Sequence, residues 1–226
     1  MDIEFIRSYY PMYVTAAKMT LGIAFFGIIL SLIIGLVCSM IKKMNIPVLK
    51  TIVNIYIELS RNTPLLIQLF FLYFGLPKMG IVLSSRTCAT LGLAFLGGSY
   101  MSEAFRTGID NVASIQTESA LSLGFTRWQV FVHIIMPQAI ATSIPVLCAN
   151  IIFLIKETSV FSAVALADLM YVAKDLIGIH YKTDEALFML VISYLIILLP
   201  ISLIFGWLER RMRYAGFGNT STVPGN

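Results

Sequence analysis

Charged residues are scarce in this chain of 226 residues. Only 12% of them are Asp, Glu, Lys or Arg, whereas 58% are hydrophobic and the mean hydropathy is +0.86. A soluble domain carries about 25% charged residues, because charge is needed to cover its surface. The long apolar runs also exclude a disordered chain and a coiled coil. The composition therefore predicts an all-α integral membrane protein whose helices satisfy their own backbone hydrogen bonds.

Residue types suited to catalysis and metal binding are also few. The three cysteines lie inside apolar runs, and neither His133 nor His180 is placed to activate Ser99. We therefore predict no catalytic residue and no metal site in this chain. No Gly-x-x-x-x-Gly-Lys-Ser/Thr sequence occurs, so the chain has no phosphate-binding loop for ATP. The net charge of +4 is too small a surplus to indicate nucleic-acid binding.

The start of the chain lacks the basic region of a cleaved signal peptide. Asp2 and Glu4 precede the first apolar run, so we expect this run to remain in the protein. Residues 1–15 are rich in tyrosine and are predicted to form a short helix at the membrane interface. The membrane domain is predicted over residues 16–210 and a cytoplasmic tail over residues 211–226.

Five stretches are predicted to span the membrane: two uncharged runs of 22 and 23 residues, each long enough to cross it as a helix, and three less uniform stretches that contain or adjoin charged residues. They are residues 19–40, 51–74, 87–101, 138–155 and 186–208. Cytoplasmic loops of membrane proteins carry more Lys and Arg than external loops. This distribution is obtained when the N-terminus is outside and the C-terminus inside, so we predict that orientation. Six glycines in the first and third spans favour close helix packing: Gly22, Gly27, Gly35, Gly92, Gly97 and Gly98.

The cytoplasmic loop 107–137 predicts two short amphipathic helices. Ser114 can cap the first helix, and Gly124 suits the left-handed residue that ends it. Thr126 and Gln129 have the spacing of a capping box that opens the second helix, and Pro137 suits the first turn of the fourth span. The loop would thus expose apolar side chains that need a partner: Leu121, Phe125, Trp128 and Phe131.

This loop resembles the EAA loop of ABC importer permeases. Glu118-Ser119-Ala120 is followed by three residues, Gly124, nine residues, Ile134 and Met136-Pro137, whereas the family has E-A-A, three residues, G, nine residues and I-x-L-P. The resemblance implies a cytoplasmic coupling helix that docks in a cleft of a separate ATP-binding subunit. The implied coupling residues are Glu118, Ser119, Ala120, Gly124, Arg127, Ile134 and Pro137.

Three further stretches resemble motifs of the polar amino-acid permeases, the histidine/glutamine/arginine/cystine-type group. Tyr56 to Gln68 is similar to Y-x-E-x-x-R-x-T-P-L-L-x-Q, and Ser99 to Ile109 is similar to A-Y-x-x-E-x-x-R-x-G-I. The third stretch is Lys156-Glu157-Thr158-Ser159 followed by Ala167-Asp168-Leu169, similar to K-[DE]-T-S-L and A-E-L. The resemblance covers residues 9–219 and implies the transmembrane-domain fold of a type I ABC importer.

The resemblance also implies partners, a substrate class and a location. It implies an ABC ATPase subunit that carries ATP-Mg, and a second permease that is identical or similar to this chain. It further implies an extracytoplasmic amino-acid-binding protein, a polar L-amino acid as substrate, and a multi-pass location in the bacterial inner membrane. The chain itself needs no cofactor.

Ionisable side chains within the spans cost about 2.5–3.5 kcal/mol each when they stay unpaired. Glu103 and Arg106 are spaced three apart on a helix and are predicted to form a structural ion pair, and Glu58 and Arg61 have the same spacing. Lys156 and Glu157 are sequence neighbours that point to different helix faces. Together with Arg61, the segment Lys156, Glu157, Thr158 and Ser159 is a candidate lining of the substrate path.

Two other functions stay open at this point. The chain could be a channel or secondary transporter that works without an ATPase, or a structural membrane subunit without a transport path. The loop with the EAA spacing favours the importer, because a channel has no use for an ATPase-docking surface. The polar tail after Asn219 is predicted to be mobile or bound to a partner.

Overall fold

The computed structural model describes residues 1–44 and 46–214, and every regular element in these ranges is helical. Residues 215–226, which contain most of the predicted tail, lie outside them. The helices are α1 (Ile3–Met44), α2 (Pro47–Arg61), α3 (Leu65–Phe70), α4 (Ser85–Asp110), α5 (Ser114–Ser122), α6 (Arg127–Val130), α7 (Met136–Glu157), α8 (Leu169–His180) and α9 (Thr183–Tyr214). A π-helical segment and a 3-10 turn continue α3 to Met79, a π-helical segment joins α6 to α7, and a 3-10 segment, Thr158–Val164, follows α7.

The first fifteen residues do not form the separate short helix predicted from their tyrosines. They are continuous with the first span in α1, which is 42 residues long and includes Pro11. Polar contacts join the start of α1 to the start of α9. The amide of Asp2 donates to Glu185 at 2.8 Å, and Lys182 Nζ lies 3.2 Å from Asp2 Oδ2. Bonds from the Phe5 amide and from Lys182 hold the pKa of Asp2 below its usual range.

Helices α1 and α4 pack against each other in parallel. A Cβ atom added to Gly27 would meet Leu93, and one added to Gly35 would meet Met101 and Ser102, so residue numbers rise together along the contact. Small residues allow this approach, because helices in a membrane associate by close van der Waals packing. Gly22, in contrast, has no neighbour within 4 Å and takes no part in the packing of this chain.

Helices α4 and α7 run antiparallel and share buried hydrogen bonds. Ser143 Oγ donates to the Ala104 carbonyl at 3.0 Å, and Asn150 Nδ2 donates to the Tyr100 carbonyl at 3.2 Å. The main core lies between α1, α4, α7 and the 3-10 segment after α7, where Leu93, Leu154 and Phe161 are completely buried.

The predicted second span is not one helix. It consists of α2 and α3, which are separated by Asn62, Thr63 and Pro64, since proline removes a backbone donor and clashes with the preceding turn. The carbonyl groups freed by the break are satisfied by side chains, as a membrane requires. Gln68 Nε2 donates to the carbonyls of Ser60 at 3.1 Å and Thr63 at 2.9 Å.

Three helical stretches in the described residues are long and apolar enough to cross a membrane: Ile3–Lys43, Arg127–Val164 and Thr183–Met212. They contain the first, fourth and fifth predicted spans. The third span lies in α4, a helix of 26 residues with a polar second half. The count of five spans and the orientation of the chain stay predictions.

Candidate functional site

The turn of loop 107–137 is built around a left-handed glycine. Helix α5 ends at Ser122, and Gly124 has a φ of +85°, as the sequence predicted. The Gly124 amide donates to the Leu121 carbonyl at 3.0 Å, and the Phe125 amide donates to the Ala120 carbonyl at 3.2 Å. These two bonds form a Schellman motif, which satisfies the last carbonyls of the helix. The path of the chain between α5 and α6 is therefore fixed by backbone geometry.

The start of α5 differs from the prediction. Ala113, not Ser114, occupies the N-cap position, and no side chain caps this end of the helix. Ser114 is instead the first helical residue, so the loop from α4 is one residue shorter than the sequence suggested. The helix is held by Ala120, which is buried against Val130 and Ile135.

The second helix of the loop is continuous with the fourth span. Thr126 and Gln129 form the predicted capping box, with the Thr126 amide donating to Gln129 Oε1 at 2.8 Å. Helix α6 then passes through a π-helical segment, Phe131–Ile135, into α7 without a break. Pro137 lies in the first turn of α7, as predicted, and this turn continues directly from the π-helical segment.

The loop presents an apolar surface towards the cytoplasmic side of the predicted topology. Leu121, Phe125 and Trp128 are exposed, as predicted. Phe131 is instead half-buried, because it packs beside Val130. Glu118, Ser119, Arg127 and Pro137 are exposed as well, and Ile134 is half-buried. A depression of about 480 Å³ lies between this surface and the end of α1, with Leu121, Arg127 and Trp128 in its lining. We call the exposed residues Leu121, Phe125 and Trp128 the docking patch.

Glu103 is the centre of a charge network at the ends of α1 and α4. Its two oxygens accept from Lys42 Nζ at 3.1 Å and from the Arg106 guanidinium at 2.9 Å. Arg106 also lies 2.8 Å from Asp110. The predicted pair of Glu103 with Arg106 is thus present, but the sequence did not predict Lys42 as a partner, because α1 and α4 are brought together only by the fold.

The expected ion pair between Glu58 and Arg61 is absent, although the structure describes both residues. Glu58 Oε2 accepts instead from Asn62 Nδ2 at 3.0 Å. The guanidinium carbon of Arg61 lies 5.1 Å from the centre of the Tyr100 ring, a cation–π distance. The pair fails because the helix ends at Arg61 and the Arg61 side chain turns towards α4.

Tyr100 is a site residue that the sequence analysis did not single out. Its ring contacts Arg61 from α2 on one side and Phe153 from α7 on the other, with 5.1 Å between the ring centres of Tyr100 and Phe153. Tyr100 thereby connects three helices. Two signals in the sequence pointed to it: Tyr100 is the tyrosine of the A-Y-x-x-E-x-x-R-x-G-I stretch, and its spacing of three from Glu103 places both on one face of α4.

The Lys156–Ser159 segment lies where α7 passes into the 3-10 segment. Lys156 is exposed, and Glu157 and Ser159 are half-buried. Thr158, however, has no exposed surface, and its hydroxyl donates to the Ile155 carbonyl at 2.7 Å. Thr158 therefore caps the helix end and does not line an open path, because its only polar atom is already bonded to the backbone.

Within the described ranges, no group of three His, Cys, Asp or Glu side chains is placed to hold a metal ion. The chemistry of the described side chains suits binding to other molecules. The arrangement offers an apolar surface to a protein partner, and it offers charged side chains to a small polar molecule.

Comparison with known proteins assigns the chain to a family. Residues 27–214 match the family described as the binding-protein-dependent transport system inner membrane component. The probable amino-acid permease protein YxeN of Bacillus subtilis (strain 168) is 33% identical over 214 residues, which are 93% of this chain and 96% of YxeN. The glutamine transport system permease protein GlnP of Escherichia coli (strain K12) is 30% identical over 205 residues, 90% of this chain and 94% of GlnP.

Solved structures have the same fold. The crystal structure of an amino acid ABC transporter with histidines superposes with a TM-score of 0.88 at 31% identity, and covers 93% of this chain and 99% of that one. An inward-facing structure of the MetNI methionine ABC transporter gives a TM-score of 0.71 at 16% identity, over 94% of this chain and 99% of that one. The chain therefore belongs to the family of multi-pass inner-membrane components of binding-protein-dependent transport systems and has the permease fold of type I ABC importers.

Proposed function

We propose that this chain is the permease subunit of an ATP-driven importer and provides the translocation path for polar L-amino acids. The observation that carries the proposal is the continuity between the docking patch and α7. Arg127–Val164 is one helical run of 38 residues, which has Trp128 of the docking patch at its start and the Lys156–Ser159 segment near its end. A displacement of Trp128 would reach the Lys156–Ser159 segment through this run, because no loop interrupts it.

The energy would come from a partner. An ABC ATPase subunit that holds ATP-Mg would bind the docking patch, and its closing and opening would move α6 and α7. A second permease, identical or similar to this chain, would form the other wall of the path. An extracytoplasmic binding protein would deliver the amino acid. The alternative is an ATP-independent channel or secondary transporter, which would leave the exposed Trp128 and Phe125 without a partner.

The proposed substrate path follows the polar side chains on α2, α4 and α7. A zwitterionic amino acid needs a cation for its carboxylate and an acid for its ammonium group. Lys156 and Glu157 supply this combination at the end of α7, and Ser159 adds a hydroxyl group. Arg61 lies further along the path, where it is linked to α7 through Tyr100 and Phe153. The relatives named as amino-acid and glutamine permeases support this substrate class.

The two tryptophans of the chain allow a matched test of the docking patch. Trp128 is 61% exposed in the patch, and Trp207 is 56% exposed on α9. Trp128→Ala should reduce co-purification of the ATPase subunit in mild detergent at least tenfold, because aromatic anchors dominate protein interfaces. Trp207→Ala should leave it unchanged. Equal retention of the ATPase by both variants would contradict the proposal.

Uptake into proteoliposomes tests the transport function. The permease, its ATPase and its binding protein should take up labelled polar amino acids only when ATP is present. Glu157→Gln should assemble normally but lose uptake or change the preferred amino acid. Uptake that continues without ATP or ATPase would support the channel or secondary transporter.

A further inference from the structure

The side chains of Glu58 and Arg61 are both exposed on the last turns of α2, close to the ends of α1 and α4, and they do not form an ion pair with each other. Glu58 and Arg61 are three residues apart on α2. At this spacing the Cβ atoms of two helical residues are about 5–6 Å apart. Charges inside membrane helices are expensive, so they are retained where they serve a function or face a polar cavity.

Both residues face a polar pocket of about 420 Å³ at the junction of α1, α2 and α4. The other lining residues of the pocket are Lys42, Lys50, Asn54, Ile57, Glu103 and Arg106. Its volume suits a small molecule, since ligand pockets begin at about 300 Å³. Glu103 is already bonded to Lys42 and Arg106, so its charge is balanced within the network.

We propose that Glu58 and Arg61 form a second binding site for a zwitterionic amino acid, on the cytoplasmic side of the Lys156–Glu157 pair. Arg61 receives the α-carboxylate, because a guanidinium group binds a carboxylate through two parallel hydrogen bonds. Glu58 accepts hydrogen bonds from the α-ammonium group. The proposal rests on the proposed function and places a further step along the same path.

The site would be connected to α7. In this structure the Arg61 guanidinium lies over Tyr100, which also contacts Phe153 three residues before Lys156. A carboxylate bound by Arg61 would compete with the ring for the guanidinium group and would alter the Tyr100 contact. Binding of an amino acid at this site would therefore change a contact of α7, the helix that continues from the docking patch.

Direct binding to the purified permease–ATPase complex tests the site without the binding protein. The probes are L-arginine and L-glutamine, their α-amides, which lack the carboxylate charge, and their N-acetyl derivatives, which lack the ammonium charge. Wild-type protein should bind each amino acid at least tenfold more tightly than either derivative. The preferences should remain in the double variant Lys156→Gln/Glu157→Gln, which lacks the site at the end of α7. In that background, Arg61→Gln should remove the preference over the α-amide, and Glu58→Gln the preference over the N-acetyl form.

Matched variants separate this site from its alternatives. Thr51→Ala lies on the same helix outside the pocket and should change binding less than threefold. Arg61→Lys should retain the preference for the carboxylate even if Arg61→Gln does not fold. Preferences that survive in Arg61→Gln and Glu58→Gln but disappear in Lys156→Gln and Glu157→Gln would overturn the second site and leave the proposed function intact. Failure of the wild-type importer to take up any amino acid would instead overturn the proposed function.

Discussion

Lys42 Nζ lies 3.1 Å from Glu103 Oε1, which joins the end of α1 to the last turns of α4. Glu103 also binds Arg106, so one carboxylate contacts two cations, and Asp110 supplies the second negative charge through Arg106. The Glu103 side chain is 24% exposed, so its ion pairs are neither fully exposed nor fully buried. The network stabilises the parallel packing of the two helices at the end where their glycine contacts stop.

Glu103→Gln should lower the free energy of unfolding by about 2 kcal/mol, between the effects of breaking exposed and buried ion pairs. Asp110→Asn is the control, because Asp110 is 53% exposed and pairs with Arg106 alone. We expect it to cost less than about 1 kcal/mol. Denaturation of the purified protein in detergent measures both values. Equal losses would mean that Lys42 adds nothing to the network.

Gly35→Ala should destabilise the packing of α1 on α4 by about 1–3 kcal/mol. The added Cβ would lie 2.8 Å from the Ser102 nitrogen and would overlap Met101, so one helix must move. Gly22→Ala is the control on the same helix, because nothing lies within 4 Å of its added methyl group. It should be neutral or slightly stabilising, since alanine favours a helix. Thermal unfolding in detergent compares the two, and an equal response would contradict this packing.

Gly124→Ala should cost about 1 kcal/mol, because alanine is strained at a φ of +85° although the space for its methyl group is free. The strain should loosen the turn between α5 and α6 and weaken binding of the ATPase subunit about fivefold. Gly178→Ala is the control, because it is likewise without neighbours but lies within α8. Titration of the ATPase subunit onto each variant in nanodiscs measures the effect, and unchanged affinity would show that the turn needs no glycine.

Gln68→Leu should lower the free energy of unfolding by roughly 2 kcal/mol, because it leaves the carbonyls of Ser60 and Thr63 without their donor in an apolar environment. Gln116→Leu is the control, because its amide oxygen accepts only an exposed hydrogen bond from Gln138, and we expect it to cost about 0.5 kcal/mol. The yield of folded protein and its thermal midpoint report the difference. A fully stable Gln68→Leu variant would mean that other groups satisfy the break between α2 and α3.

Features that depend on local chemistry were predictable. Gly124 and the Thr126–Gln129 capping box follow from the preferences of single turns, and both are present. The first, fourth and fifth spans follow from apolar length alone. The predicted helix start at Ser114 was wrong by one residue. Serine is compatible both with the N-cap and with the first helical position, and the conformation of the preceding loop decides which of the two it occupies.

The sequence by itself determined a membrane protein, its family motifs and the turn of the docking loop, because composition, spacing and local conformational preferences act within a few residues. Only the tertiary structure decided which charges meet. Arg61 turned from its helical neighbour Glu58 to Tyr100, and Glu103 gained Lys42 from another helix. A spacing of three permits an ion pair but does not favour it over a partner that the packing of helices supplies, because each local pair is worth only about 0.2–0.5 kcal/mol.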